Sequence, residues 1–230
     1  TGIVTAAASV GYFIAPLLTT YSLGAVGWEL TLKYFLYFII FGLIFSLFLL
    51  PAKNNSFSSS QADREQSFTD AIKEAFKHKG YLLLVAGFFV CGFQITLVAT
   101  HIPGYMKLRG MGLWSPAIIL ALIGVFNIFG TLGMGYLGTK YSKKILLSIL
   151  YFLRAVVMCL FIFSPPSMFM SVFFGITFGM LWLSTVPPTN GIVAQIFGTK
   201  YLSTLFGIVF FSHQIGSFAG AFLGGYFYDL

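Results

Sequence analysis

The chain has 230 residues, of which 58% are hydrophobic, 19% aromatic and only 8% charged. A soluble domain usually carries roughly a quarter charged residues, because it must cover its core with them. The composition therefore excludes a soluble domain and indicates a membrane protein. It also excludes a nucleic-acid-binding protein despite the net charge of +7, since the basic residues lie between apolar blocks rather than along one stripe.

Seven apolar blocks are long enough to cross a bilayer, whose hydrocarbon core of ~30 Å needs about 20 helical residues. The predicted fold class is therefore an all-α integral membrane protein with seven transmembrane helices. The blocks lie at residues 1–22, 30–50, 81–102, 114–137, 145–164, 167–188 and 202–228.

A polar stretch separates the second block from the third. It begins with the low-complexity run NNSFSSSQ and continues as SFTDAIKEAFKHKG, which predicts a short amphipathic helix at the membrane surface. Ser67 with Asp70 resembles a capping box at the start of that helix. The apolar positions that share one helical face are Phe68, Ile72, Ala75 and Phe76.

Lys and Arg predict the orientation, because short loops rich in these residues favour the cytoplasmic side. Nine of them lie in three loops on one predicted side, and three lie on the other. The predicted cytoplasmic residues are Lys53, Arg64, Lys73, Lys77, Lys79, Lys140, Lys143, Lys144 and Lys200. The predicted external residues are Lys33, Lys107 and Arg109.

The cytoplasmic segment GYLGTKYSKK, residues 135–144, resembles the loop motif G-x-L-x-D-R-x-G-R-R of the major facilitator superfamily. Thr139 stands in place of the acidic residue of the motif, and Ser142 in place of its second glycine. The resemblance implies that this segment is a gating loop, although Thr139 cannot supply the charge contacts of the acid. The positions that match, with Lys allowed for Arg, are Gly135, Leu137, Lys140, Lys143 and Lys144.

The resemblance extends over nearly the whole chain. Gly27 and Trp28 look like the junction of the fifth and sixth helices of that twelve-helix fold, and the last 35 residues are similar to the eleventh helix of a bacterial branch related to monocarboxylate and oxalate/formate transporters. This implies a fragment of helices five to eleven, with helices one to four and twelve missing. The implied division is 1–50 for the end of the N-terminal half, 51–80 for the linker and 81–230 for most of the C-terminal half.

Polar side chains inside spans are the candidates for a substrate route, because they are costly in lipid. Gln94 and His101 lie on one face of the third span, which the resemblance identifies as cavity-lining. Arg154 lies at mid-depth with no acid in any predicted span, so its partner is a backbone carbonyl, an absent helix or an anionic substrate. Trp182 is a candidate apolar wall for a substrate. Each side chain could instead serve packing alone.

Proton coupling and helix packing involve further residues. No membrane carboxylate is available in the predicted spans, so the titratable candidates for proton coupling are His101 and His213. Pro187 and Pro188 predict a break or kink in the sixth span. Small residues at helical spacing predict close packing between helices. The main packing candidates are Gly11, Gly216, Gly220 and Gly224.

The resulting expectation is a secondary active transporter that moves a small organic anion, such as a monocarboxylate, by alternating access in symport or antiport. It would lie in the inner membrane of a bacterium, use no cofactor or metal, and need the missing helices, the lipid bilayer and a small-molecule substrate, with protons as a candidate coupling ion. A drug or neutral-solute exporter and a non-transporting membrane protein remain alternatives. An enzyme is not expected, because the chain has no HExxH, GxSxG or paired-acid motif.

Overall fold

The computed structural model describes residues 2–47 and 67–229, without the side chains of residues 2–7, 45, 47 and 229. All regular secondary structure of the described part is helical, which confirms the predicted all-α fold class. Its helices are α1 (Gly2–Leu47), α2 (Phe68–Lys77), α3 (Lys79–Leu108), α4 (Ser115–Lys140), α5 (Lys143–Phe163), α6 (Met168–Leu181), α7 (Val186–Phe197) and α8 (Leu202–Asp229).

The first two predicted spans are two helices that meet at a kink at Gly27, and the label α1 covers both of them. Its 46 residues would extend over about 69 Å if straight, more than twice the hydrocarbon thickness. Helical geometry is interrupted only at Gly27, whose φ of 77° and ψ of 176° favour glycine because a side chain is strained there. By length and hydropathy, six stretches of the described residues can each span a membrane, with the two helices of α1 counted as one stretch.

The two parts of α1 have different surroundings. The part before Gly27 packs on α4, where a Cβ on Gly124 would overlap the backbone of Tyr12 and Phe13. The part after Gly27 exposes large apolar side chains, including Trp28 at 65% and Phe38 at 74%. That exposed surface is suited to lipid or to further transmembrane helices.

The sixth predicted span is a broken helix that extends further than residue 188. Its first part, α6, ends at Leu181, and its second part, α7, begins at Val186 and continues to Phe197. Pro187 and Pro188 lie in the first turn of α7, where a missing backbone N–H costs no intrahelical hydrogen bond. The predicted break therefore lies just before the two prolines, at residues 182–185, which we call the helix break.

Among the described helices, α3 and α8 make the most extensive contact with each other. A Cβ on Gly216 would overlap the carbonyl of Phe89, and one on Gly220 would overlap the carbonyl of Phe93. The backbones of the two helices thus touch along the glycine positions of α8, as small residues permit in membrane proteins. Ser212 Oγ adds a 2.8 Å hydrogen bond to the carbonyl of Val85.

Aromatic side chains fill the core between α3, α5 and α6. Phe161 stacks on Phe174 at 4.1 Å between ring centroids, and Phe174 stacks on Phe178 at 4.9 Å. Phe178 in turn meets the edge of Trp182 at 5.4 Å. This ring column ends at the helix break and fixes its position relative to α5.

The amphipathic helix α2 lies against the start of α3 and α8. Ala71 and Ala75 are buried, and the ring of Phe68 meets Tyr201 at 5.9 Å. Ser67 takes the N-cap position, but its hydroxyl does not cap the helix and lies 3.2 Å from the Thr69 hydroxyl. The predicted capping box is therefore wrong, because the Ser67 hydroxyl pairs with a side chain instead of a backbone N–H.

Candidate functional site

A cleft of about 1050 Å³ opens between the first part of α1 on one wall and α3 with α4 on the other. Its wall on α1 carries Tyr12, Thr19 and Thr20 among small apolar residues. The opposite wall runs from Ala99 on α3 to Leu120 on α4. A concave site of this size between helices is typical of small-molecule binding sites.

Lys107 is the one charged residue that lines this cleft in the described part of the chain. It lies in the last turn of α3 with its side chain exposed, beside Gly112 and Leu113 at the mouth. The sequence analysis used Lys107 only for orientation. Lys107 follows Gly104 by three residues, where the third apolar block gives way to polar sequence. Nothing in that pattern indicates that Lys107 faces a cleft.

The four predicted substrate residues do not line the cleft. Gln94 lies in the middle of α3 with a buried Oε1 atom that accepts no hydrogen bond from the described residues. His101 bonds through Nε2 to the carbonyl of Ala221 at 3.1 Å, on the face of α3 that meets α8. Arg154 and Trp182 are both fully buried.

Arg154 binds the carbonyl groups that the helix break leaves without intrahelical partners. Its Nη2 donates to the carbonyls of Leu181 and Trp182, both at 2.6 Å. Its Nη1 donates to Cys91 Sγ at 3.2 Å, and its guanidinium lies 5.7 Å from the ring of Tyr151. The sequence left three kinds of partner open for Arg154. In the structure its partners include backbone carbonyls.

Asn127 binds the other side of the same helix break. Its side chain is fully buried on α4, and its Oδ1 accepts from the backbone N–H of Leu183 at 2.8 Å. Its Nδ2 donates to Ser9 Oγ on α1 at 2.7 Å. The sequence analysis did not single out Asn127, although an amide in the middle of an apolar span is costly without partners and was a usable signal.

Trp182 closes the inner end of the cleft. Its ring meets the edge of the cleft-lining Tyr12 at 5.9 Å, with an interplanar angle of 70°. Its Nε1 atom is buried and has no hydrogen-bond partner among the described residues. Trp182 is thus one side chain behind the cleft wall, between the cleft and the helix break.

His213 packs on α3 beside Cys91, whose thiol also accepts a hydrogen bond from Arg154. Its ring lies against Phe88, at 5.5 Å between centroids, and over Gly92. Its Nδ1 lies 3.2 Å from Gln214 Oε1 and 3.4 Å from Ser217 Oγ, while its buried Nε2 has no hydrogen-bond partner in the described part. Cys91 Sγ also lies 3.5 Å from Thr185 Oγ1, so it contacts the helix break directly.

The predicted gating loop is a tight turn between α4 and α5. Lys140 places its ammonium group 4.6 Å from the centre of the Tyr136 ring, and Lys144 is exposed. The Lys143 stem lies over Gly191 of α7, where a Cβ would come within 2.7 Å of it. Gly135, by contrast, has no heavy atom within 4 Å of its Cβ position. The turn therefore contacts α7 mainly through Lys143.

The predicted packing glycines divide into two groups. Gly216, Gly220 and Gly224 all face α3, and a Cβ on Gly224 would overlap the His101 imidazole. Gly11 differs from the expectation, because it lines the cleft and nothing lies within 4 Å of its Cβ position. Its missing side chain widens the cleft instead of admitting a neighbouring described helix.

Comparison with known proteins agrees with this architecture. The model of the Major Facilitator Superfamily matches residues 1–227. The chain is 26% identical over 225 residues to an uncharacterized MFS-type transporter, YcxA, of Bacillus subtilis, covering 89% of this chain and 51% of that protein. It is also 26% identical over 153 residues to monocarboxylate transporter 12-B of Danio rerio, covering 65% of this chain and 32% of that protein.

The chain therefore belongs to the major facilitator superfamily and is a multi-pass integral membrane protein. It spans about half the length of the bacterial relative and about a third of the fish relative. The cleft between α1 and the α3–α4 pair accordingly lies between segments that the sequence analysis assigned to different halves of the superfamily fold.

Proposed function

We propose that this chain is part of a secondary active transporter that moves a small organic anion by alternating access. The observation that carries the proposal is the cleft, in which Lys107 is the one charged lining residue among those described. A cation at the mouth of an otherwise uncharged cleft attracts anions and repels cationic drugs. The name of the fish relative, a monocarboxylate transporter, supports the same class of substrate.

Substrate contact in this proposal combines one charge with a small apolar space. The Lys107 ammonium group binds the carboxylate, while Tyr12 and Thr20 offer hydroxyl donors from the facing wall. Gln94, Arg154 and Trp182 act behind the wall in this account. The Nη1 and Nη2 groups of Arg154 already donate to protein groups, so Arg154 holds the cleft wall in place instead of binding the anion.

The test is uptake by the full carrier in proteoliposomes, with a labelled three-carbon monocarboxylate, a labelled neutral solute and a cationic drug. We expect uptake of the monocarboxylate, and we expect Lys107→Gln to raise its KM about three- to fivefold, as for a partly hydrated ion pair. Lys73→Gln removes an exposed cation of α2 outside the cleft and is the matched control. Uptake of the drug or the neutral solute alone would instead establish the exporter alternative.

For proton coupling we favour His213 over His101. The buried Nε2 of His213 has no described partner, whereas Nε2 of His101 already bonds to a carbonyl. Cys91 of α3 is the titratable neighbour that contacts His213, and the Cys91 thiol in turn bonds to Arg154 of α5. His213→Gln should therefore abolish the dependence of uptake on a pH gradient, while His101→Gln should preserve it. Retained pH-driven uptake in His213→Gln would exclude His213 as the coupling group.

We also propose that the protein lies in the inner membrane of a bacterium, a location supported by the bacterial relative. The gating-loop residues Lys140, Lys143 and Lys144 would then face the cytoplasm, and Lys107 would face outside. The cleft would be open to the outside in the conformation described here.

A further inference from the structure

The polar junction around Asn127 joins three separate elements of the fold. Asn127 lies on α4, Ser9 on α1 and Leu183 in the helix break, and the two hydrogen bonds measure 2.7 and 2.8 Å. Ser9 and Asn127 are both fully buried. One amide side chain therefore connects the contact between α1 and α4 to a segment of backbone outside any helix.

The junction lies at the closed end of the cleft. Ala8 lines the cleft next to Ser9, and the cleft continues along α1 from there to Leu23 at its other end. Beside the Ser9 bond, α1 meets α4 with no space for a side chain at Gly124. The Ser9–Asn127 bond therefore belongs to the close contact between α1 and α4 next to the Ala8 end of the cleft.

We propose that Asn127 is a positioning residue that couples the contact between α1 and α4 to the conformation of the helix break. The proposal requires the relative movement of the two walls that alternating access implies, but it is independent of the substrate. When α1 separates from α4, Nδ2 of Asn127 loses its partner in a dry interior, where an unpaired amide is unfavourable.

The consequence falls on the helix break because Asn127 holds one side of it and Arg154 the other. The bond to the Leu183 N–H fixes the chain directly after the two carbonyls that Arg154 binds. An Asn127 side chain that turns away from its present position releases this N–H. The break then loosens around Thr185, and the adjacent Cys91 thiol becomes accessible.

Cys91 supplies the reporter. It is fully buried, whereas Cys159 is exposed, so Cys159→Ser and replacement of cysteines elsewhere in the full carrier leave one buried thiol. The rate at which a small membrane-permeant maleimide labels Cys91 then measures opening of the helix break. The hydrogen bonds of Cys91 go to Thr185 and Arg154, so we expect an effect of a Ser9 substitution on this rate to pass through the junction.

We expect Ser9→Ala to speed the labelling of Cys91 about threefold, the effect of one hydrogen bond inside a membrane protein. Ser9→Thr keeps the hydroxyl and should label at the wild-type rate. Asn127→Ala should label faster still, and adding Ser9→Ala to it should change nothing further, since the shared bond is already lost. Thr19→Val is the matched control. Within the described residues, the Thr19 hydroxyl bonds to the Ala15 carbonyl of its own helix and not to α4.

Three results would overturn the proposal. Labelling of Cys91 at the wild-type rate in Ser9→Ala shows that the junction transmits nothing. Equal acceleration in Thr19→Val shows a general loosening of α1. Multiplying effects in the double variant show that Ser9 and Asn127 act independently. If Asn127→Ala fails to fold, the Ser9→Ala, Ser9→Thr and Thr19→Val comparison decides alone.

Discussion

Arg154 shows what a single buried charge does when no acid is near it. The guanidinium replaces the missing intrahelical partners of the Leu181 and Trp182 carbonyls. Hydrogen bonds from a charged donor stabilise a buried site by roughly 1.5–3 kcal/mol each. The sequence predicted that Arg154 needs a partner but could not choose among carbonyl, absent helix and substrate, because the choice depends on where α6 breaks relative to α5.

Arg154→Gln should lower the stability of the full carrier by about 3 kcal/mol or more, since it leaves at least one buried carbonyl without a donor. Arg154→Lys should lower it less, because one ammonium group can still reach one carbonyl. Thermal unfolding in detergent measures both. Lys144→Gln, on the surface, should stay within about 0.5 kcal/mol of the wild type.

Substrate affinity in the same purified variants separates the roles of Arg154. The protein that remains folded should bind the monocarboxylate with near-normal affinity, because Arg154 does not line the cleft. A normally stable Arg154→Gln protein that no longer binds the anion would show instead that the guanidinium contacts substrate.

At the scale of helices, the lengths of the apolar blocks and the positions of the charges predicted most helix bounds. The bounds predicted for α3, α4, α5 and α8 agree with the structure to within six residues at each end. The first two spans were predicted to meet at Gly27 and Trp28, and the helical geometry of α1 is interrupted at Gly27. The backbone needs only one residue to change direction there, and a glycine at positive φ supplies it.

The pairing of α3 with α8 gives a direct test of the glycine positions. Gly216→Ala should destabilise the carrier by about 1–3 kcal/mol, because the new methyl group overlaps the Phe89 carbonyl. Gly207→Ala, on the same helix with open space around it, should be neutral or stabilising, since alanine is the better helix former. Equal effects of the two substitutions on detergent thermostability would contradict the close contact between α3 and α8.

At the scale of the whole molecule, the ends of α4 define the two sides of the membrane. Its 26 residues extend over about 39 Å, enough to cross the hydrocarbon core. Gly112 lies just before α4 at the mouth of the cleft, and Ser142 lies in the turn after it. The two positions should therefore be exposed on opposite sides.

Single cysteines at these positions test the orientation. In intact cells an impermeant maleimide should label Gly112→Cys and leave Ser142→Cys unlabelled, because the loop rich in lysine faces the cytoplasm. Permeabilised cells, in which both should react, are the control. Labelling of Ser142→Cys alone in intact cells would reverse the orientation.

The cleft itself could not be predicted from the sequence. Its walls come from residues separated by about a hundred positions, and small residues such as Gly11 read equally well as packing positions or as cleft lining. In the sequence, Lys107 likewise indicates only the membrane orientation. Its place in the cleft depends on α1 lying opposite it. Sequence pattern thus predicted the fold class and the family resemblance, while the arrangement of α1 against α3 and α4 located the candidate site.

The most direct test of the central claim is protection of the cleft by its substrate. Thr20 lines the cleft on α1, so Thr20→Cys in an otherwise cysteine-free full carrier should react with a charged thiol reagent. A small monocarboxylate should slow this reaction in a saturable way, and its uncharged amide analogue should not. Equal protection by the amide, or no protection by any monocarboxylate that the carrier transports, would contradict an anion site in this cleft.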